Sequence, residues 1–272
     1  MKYRMIAVDL DDTLLNEESK ISARNRKAIC RAVQSGTRFV IATGRMFKTS
    51  VTYLDDLTLD GDCPLINYHG ALVTKARSRE IVLHKPVGND MAITVASEAE
   101  ARGYHVSLFI EDELYIKEEN QYSRYYLSLA HIGVQAVGSL GSYLKNNGAS
   151  PTKMSIISFD GSLDSLETEL QARYAGKLSI LQSRPHFLEI TDIEATKGQT
   201  LKWLAEREGI KQEEVIAFGD GHNDIDMISY AGLGVAVANA RQAVIDVADL
   251  VTASNNDDGV AEIIERYVLN DI

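Results

Sequence analysis

Met5-Ile6-Ala7-Val8-Asp9-Leu10-Asp11-Asp12-Thr13-Leu14 is the stretch from which the fold can be read. An apolar run of strand type ends in Asp9, and Asp11 and Asp12 follow within three positions. Like charges at the mouth of a buried strand repel one another and lose solvation, so folding alone gives no reason to gather them there. A hard divalent cation removes the objection, because it takes carboxylate oxygens and offsets their charge. A strand followed by an Asx-rich turn is the plainer account. The surrounding sequence decides between them.

At 272 residues the chain has room for one large domain or two ordinary ones. Its 45% hydrophobic and 25% charged residues are typical of a globular protein. A formal net charge of −11 and a pI near 5.1 argue against general affinity for nucleic acid or an anionic membrane. They leave room for a small anionic substrate held by a metal and a few local cations. No apolar run approaches the ~20 residues that span a bilayer. Met1-Lys2-Tyr3-Arg4 leads straight into a strand, without the apolar core of a signal peptide. Cys30 and Cys63 are expected as reduced, structural thiols. The expectation is a soluble, cytoplasmic protein with no nucleic-acid or membrane partner; oligomeric state is not legible.

Outward from the opening stretch, strand and helix alternate: a strand at 3–8, a helix capped by Ser22 and closed by Gly36, a strand at 37–42, a helix at about 46–57 and a short strand at 65–67. Continuous apolar strands in βαβαβ order predict parallel pairing with both faces covered. A hairpin follows at 71–83. After Pro86 two helix–hairpin units appear, a helix at 90–102 with strands at 106–110 and 113–117, and a helix at 163–174 with strands at 178–182 and 187–191. They predict an antiparallel sheet carrying helices on one face. From Thr196 the first pattern returns, with helices at 197–207, 223–230, 241–247 and 259–269 and strands at 215–219, 233–237 and 249–251. The expected class is α/β: a doubly wound, Rossmann-like parallel-sheet core at 1–84 and 190–272, interrupted by an inserted α+β domain at 85–189.

Ligands of an open parallel sheet bind beyond the carboxyl ends of its strands. After the second strand comes Thr43-Gly44-Arg45, and after the strand at 215–219 comes Asp220-Gly221-His222-Asn223-Asp224. A hydroxyl, a glycine and the N–H groups of a helix start make a phosphate cradle; taken alone, Thr43-Gly44-Arg45 is better explained as an ordinary N-cap. Lys197 falls in the first turn of a helix capped by Thr196, where the macrodipole disfavours a cation by ~0.3–1 kcal/mol. A stray surface lysine and a lysine sharing an anion with the helix start explain it equally well. Capping explains Asn223 or Asp224, but not Asp220 at a buried strand end. Four polar clusters, each after the right element, favour a site.

These segments, Asp9-Leu10-Asp11-Asp12-Thr13-Leu14, Thr43-Gly44-Arg45, Lys197 and Gly219-Asp220-Gly221-His222-Asn223-Asp224, resemble the four motifs of the haloacid dehalogenase-like (HAD) phosphatases. The long insertion resembles that of the branch with a large α/β cap, the Cof-type hydrolases. The resemblance implies a Mg2+-dependent phosphatase for a small phosphorylated metabolite, such as a sugar phosphate or a ribityl phosphate. It implies Asp9 as the nucleophile that becomes an aspartyl-phosphate, and Asp11 as acid toward the leaving alcohol and then base toward water. It implies magnesium on the Asp9 carboxylate, the Asp11 carbonyl and Asp220, with Asp224 in support. The Leu10 N–H, Thr43, Gly44, Lys197 and Asn223 would hold the phosphate, and Asp12 falls outside the chemistry.

Arg45, His69, Lys153 and Arg184 are candidate substrate contacts, with His186 near the last two; for Lys153, Arg184 and His186 a solvated surface group is the plainer reading. His69 stands in Tyr68-His69-Gly70-Ala71 where the family usually has asparagine, and a tight-turn or exposed residue is the plainer reading. Asn239 fits a family loop near the metal or caps the next helix. Trp203 and the tyrosines at 122, 125 and 126 read as packing residues. Two alternatives stand: a phosphotransferase or mutase using the same intermediate, and a phospho-accepting receiver-like signalling module. A receiver needs a shorter chain, no insertion, and no carboxylate two residues after the nucleophile.

Overall fold

The computed structural model describes residues 2–57, 59 and 61–271. The chain forms two compact units, Met1–Leu83 with Thr196–Ile272, and His84–Ala195. The first begins with β1 (Met5–Val8), α1 (Ala23–Gln34), β2 (Arg38–Ala42), α2 (Phe47–Leu57), β3 (Pro64–Asn67), β4 (Leu72–Lys75) and β5 (Ile81–His84). The insertion follows as α3 (Asn89–Ala101), β6 (His105–Ile110), β7 (Glu113–Ile116), α4 (Gln121–Ala130), β8 (Gln135–Ala136), α5 (Leu140–Asn147), β9 (Lys153–Ile157), α6 (Leu163–Arg173), β10 (Leu178–Arg184) and β11 (Phe187–Asp192). The first unit resumes with α7 (Lys197–Arg207), β12 (Val215–Gly219), α8 (Ile225–Tyr230), β13 (Leu233–Val237), α9 (Gln242–Ile245), β14 (Leu250–Thr252) and α10 (Gly259–Tyr267).

Among the described residues the first unit has an eight-stranded sheet in the order β14-β13-β12-β1-β2-β3-β4-β5. From β14 to β3 all pairings are parallel, and β4 runs antiparallel to β3. β1 is buried at every position, as its unbroken apolar sequence requires of a strand covered on both faces. Met5 and Ala7 share one core with Val40, Ala42, Ile66 and the α7 residues Leu201 and Leu204. Register does the positioning: Val8 pairs with Phe218 on one side and Ile41 on the other. The residues just beyond, Asp9, Asp220 and Thr43, therefore emerge side by side from three adjacent strands.

The second unit has a six-stranded sheet, β10-β11-β9-β6-β7-β8, antiparallel except between β7 and β8. Glu111 and Asp112, at φ 50° and 59°, make the two-residue turn between β6 and β7. The expectation of helices on one face is corrected. α3, α5 and α6 pack on Val106, Leu108 and Ile110, but α4 lies on the opposite face, with Tyr126 against Phe109 at 5.8 Å and Tyr125 against Phe187 at 5.8 Å. The alternate β6 residues, His105, Ser107 and Phe109, are themselves buried. α4, β8, α5 and β9 have no counterpart in the sequence expectation. α5 reads Leu-Gly-Ser-Tyr-Leu-Lys-Asn-Asn, rich in weak helix formers. The join expected at residue 190 lies inside β11.

The coil after β1 is tied down from the other end of the chain. Asn239 Nδ2 donates to the Asp12 carbonyl (2.7 Å), Asn255 Nδ2 to the Leu15 carbonyl (2.8 Å), and the Asn255 N–H to Asn239 Oδ1 (3.0 Å). Asn239 is thus not the cap of α9, whose N-cap position is Arg241; it braces the loop that carries Asp9 and Asp11. No helix among the described residues is long and apolar enough to cross a membrane. Asn255→Ala strips the buried Leu15 carbonyl of its partner and is expected to cost about 1–3 kcal/mol of stability in urea unfolding; an unchanged midpoint would show the brace to be idle.

Candidate active site

Asp9 is the first residue beyond β1, extended at φ −69° and ψ 155°, with its N–H on the Phe218 carbonyl at 3.1 Å. The chain then coils tightly through Leu10–Leu14, closed by the Leu15 N–H on the Leu10 carbonyl (2.9 Å), with Asp12 at φ 59°. The coil separates the three carboxylates. Asp9 is buried, Asp11 is half-buried, and the Asp12 side chain is exposed.

Lys197, the first residue of α7, is 1% exposed. Its ammonium donates to Asp9 Oδ1 at 2.5 Å and Asp224 Oδ1 at 2.6 Å. Close packing of α7 on α8 brings it there: a Cβ on Gly198 would lie 2.5 Å from the Asp226 backbone, and the Gly198 N–H donates to Asp226 Oδ2 at 2.9 Å. Burial lowers the lysine pKa, but Asp224 and then Asp9 outweigh it and hold the ammonium above its ordinary value. Asp224 spends its other oxygen on the N–H groups of Asp220 (3.1 Å) and Gly221 (2.9 Å), which fixes the turn after β12. Asp220 accepts from the Thr13 hydroxyl at 2.7 Å.

One oxygen from each of Asp9, Asp220 and Asp224 lies within 4.8 Å of the others. Burial pushes the Asp9 carboxyl well above the usual range; Lys197 opposes this, and Asp224, Asp220 and Asp11 add to it. Asp220 is pushed up to about 7 by burial and then by Asp224, against the Thr13 hydrogen bond and Lys197. Three carboxylates sharing one ammonium form a set of hard oxygens with surplus negative charge, and a divalent cation of the magnesium or calcium type fits it.

Asp11 is held by Arg45, whose Nε donates to Oδ2 at 2.8 Å and Nη2 to Oδ1 at 2.6 Å. Tyr53 backs the guanidinium, accepting from Nη1 at 3.2 Å. Burial works against the Arg45 charge, but the Asp11 hydrogen bonds and charge raise its pKa above the ordinary value. Thr43 Oγ1 accepts from the Arg45 N–H at 3.1 Å. His69 is buried, with its ring against Gly44 and its Nδ1 3.3 Å from Asn223 Nδ2. The structure thus gathers Asp9, Asp11, Thr43, Gly44, Arg45, His69, Lys197, Asp220, Asn223 and Asp224 at one edge of the parallel sheet.

A family profile described as haloacid dehalogenase-like hydrolase matches residues 6–264. The chain belongs to that family. It is 32% identical to YxeH of Bacillus subtilis, a protein named as a candidate phosphatase, over 98% of this chain and 99% of that one. It is 28% identical to the 5-amino-6-(5-phospho-D-ribitylamino)uracil phosphatase YwtE of the same organism, over 97% and 98% of the two chains. Among solved structures, a haloacid dehalogenase-like hydrolase from Bacteroides thetaiotaomicron superposes with a TM-score of 0.86 at 32% identity, covering 97% and 99%. The chain is accordingly an enzyme of the HAD phosphatase type, and it carries a large α/β insertion.

Two candidate substrate contacts of this HAD protein lie in the second unit. Lys153 is 4% exposed, its Nζ 2.6 Å from Glu189 Oε2 and 4.7 Å from the centre of the Phe109 ring, so the solvated-surface reading of it is corrected. Arg184 is exposed at the end of β10, and His186 is half-buried against Phe159. His69 does sit in a tight turn, but a buried one. The tyrosines at 122, 125 and 126 pack as expected on Phe159, Phe187 and Phe109. The sequence reading missed Thr13, although it stands within the opening stretch, and Tyr53, which lies eight residues after Arg45 on the helix that Arg45 precedes.

The raised carboxyls make a signed prediction. A carboxyl whose folded pKa exceeds its unfolded value contributes stability at low pH that is lost as pH rises through the folded pKa. For Asp220 the window runs from 3.8 to about 7. In chelator, the melting temperature is expected to rise as pH falls from about 8 to about 5, and added Mg2+ should flatten that slope. A slope of opposite sign in chelator would contradict the electrostatic account.

Proposed function

We propose that the enzyme hydrolyses small phosphorylated metabolites through an aspartyl-phosphate on Asp9. The observation that carries this is a buried ammonium bridging Asp9 and Asp224 where three parallel strands end, with Asp11 two residues beyond the nucleophile. The Asp9 and Asp220 carboxylates and the Asp11 carbonyl, with Asp224 in support, would hold Mg2+, which would offset charge on the nucleophile and the phosphate oxygens.

Lys197 opposes the rise in the Asp9 pKa and fixes one of its oxygens, and a bound cation would complete the charge balance that holds Asp9 in its nucleophilic form, with the other oxygen left to attack phosphorus. As the bond from Asp9 to phosphorus forms, the ester P–O bond breaks and its electron pair goes to the leaving oxygen, which takes a proton from Asp11. Asp11 then takes a proton from water as that oxygen attacks phosphorus, and the Asp9 carboxylate is released. The two hydrogen bonds from Arg45 favour the carboxylate form of Asp11, the form that the second half requires. Thr43, whose oxygen already accepts from Arg45, turns its hydroxyl proton toward the phosphate. The N–H groups of Leu10 and Gly44, the Asn223 carboxamide and Lys197 complete the cradle.

The leaving group is proposed to be a polyol or sugar alcohol; the named activity of YwtE, on a ribityl phosphate, supports this class. The receiver-like alternative gains no support, since a receiver has no use for the inserted unit or for Asp11. The motifs do not separate hydrolase from mutase. Release of free phosphate without a bisphosphate activator would favour the hydrolase.

The test is Mg2+-dependent phosphate release over a panel of phosphorylated metabolites. Asp9→Asn is expected to abolish turnover, and Asp11→Asn to lower kcat by about 10²–10⁴-fold. Activity surviving in Asp9→Asn would overturn the mechanism.

A further inference from the structure

Tyr68, His69 and Gly70 stand in succession at positive φ, 51°, 60° and 112°. Two consecutive non-glycine residues in this region form a costly backbone that persists only where its surroundings over-determine it. Here the surroundings are the candidate phosphate cradle. The Tyr68 N–H donates to the Arg45 carbonyl (3.2 Å) and the His69 N–H to the Thr43 carbonyl (3.1 Å). Asn67 Nδ2 donates to the Arg45 carbonyl at 3.2 Å. On the other side, a Cβ on Gly70 would lie 2.3 Å from the carbonyl oxygen of Thr196, the residue before Lys197. The Gly70 carbonyl accepts from the Thr200 hydroxyl at 2.8 Å.

The turn is therefore wedged between the Thr43–Arg45 segment and the start of α7, and the His69 side chain reaches a third segment. Its ring fills the space beside Gly44, where a Cβ would lie 2.3 Å from Cε1. Its Nδ1 faces Asn223 Nδ2 at 3.3 Å. A carboxamide nitrogen only donates, so Nδ1 is the acceptor and the neutral ring carries its proton on Nε2. We propose that His69 is a positioning residue. Seated on Gly44, its imidazole orients the Asn223 carboxamide and sets the distance between Gly44 and Asn223 across the phosphate cradle. It acts through Asn223 and not by contact with substrate. The inference rests on the phosphatase reading, in that phosphate occupies this cradle.

The test is a double-mutant cycle on the Mg2+-loaded enzyme with p-nitrophenyl phosphate. His69→Gln and Asn223→Ala are each expected to lower kcat/KM by about tenfold, and the double variant to be no worse than Asn223→Ala alone. His69→Asn should recover most of the loss, because its Oδ1 takes the place of Nδ1 and asparagine tolerates the left-handed backbone. Losses that multiply in the double variant, or a His69→Asn as impaired as His69→Gln, would overturn the proposal.

A second readout does not depend on turnover. The side-chain NH2 signals of Asn223 in a 15N spectrum should move in His69→Gln and return in His69→Asn. Signals unmoved by His69→Gln would also overturn it. Failure of the phosphatase reading would look different, as wild-type enzyme releasing no phosphate while the Asn223 signals still follow residue 69.

Discussion

A buried ammonium shared by two carboxylates is the constraint on which the rest of the core depends. Removing Lys197, Asp9 and Asp224 from water is expensive, and such an ion set is often no more stabilising than apolar residues of the same volume. The fold nevertheless devotes three elements to it. β1 leads directly into Asp9, α7 begins at Lys197, and the turn after β12 is drawn in by Asp224 until two of its N–H groups point at one carboxylate oxygen. An arrangement that folding does not reward is best understood as preorganisation for chemistry. The uneven balance of three carboxylates against one ammonium says what is needed to complete it.

This constraint explains why the first unit was legible in the sequence. A parallel sheet covered on both faces writes its strands as unbroken apolar runs, and the polar residue after each run marks the edge where ligands gather. Asp9, Thr43 and Asp220 could be placed together because strand register, not long-range packing, sets their separation. Lys197 stood out because a cation in the first turn of a helix contradicts the macrodipole, and its joint occurrence with the other three clusters placed it.

What stayed hidden depended on pairings that no local pattern encodes. Lys153 looked like a surface cation because its partner, Glu189, comes from β11, and the strand carrying Lys153 itself was not expected. Asn255 reaches the Leu15 carbonyl across most of the chain, and asparagine in a loop gives no sign of such a role. The place of His69 inside the fold stayed hidden for a related reason. Its burial follows from the backward coil of Tyr68–Gly70 onto Thr43 and Arg45, a conformation that two non-glycine residues rarely adopt together.

Arg45 introduces an asymmetry into the proposed reaction. Its two hydrogen bonds occupy both oxygens of Asp11 and favour the carboxylate over the acid. Proton uptake from water asks for that state, whereas proton delivery to a leaving alcohol asks for the opposite one. A carboxyl serving both steps must therefore exchange the guanidinium for the substrate oxygen at one stage and return to it at the other. Tyr53, bonded to Arg45 Nη1, gives the guanidinium a second anchor, so in the proposed reaction Asp11 is the partner that would move. The clamp thus falls on the guanidinium, and the carboxyl would be the group that swings between the two steps proposed for it.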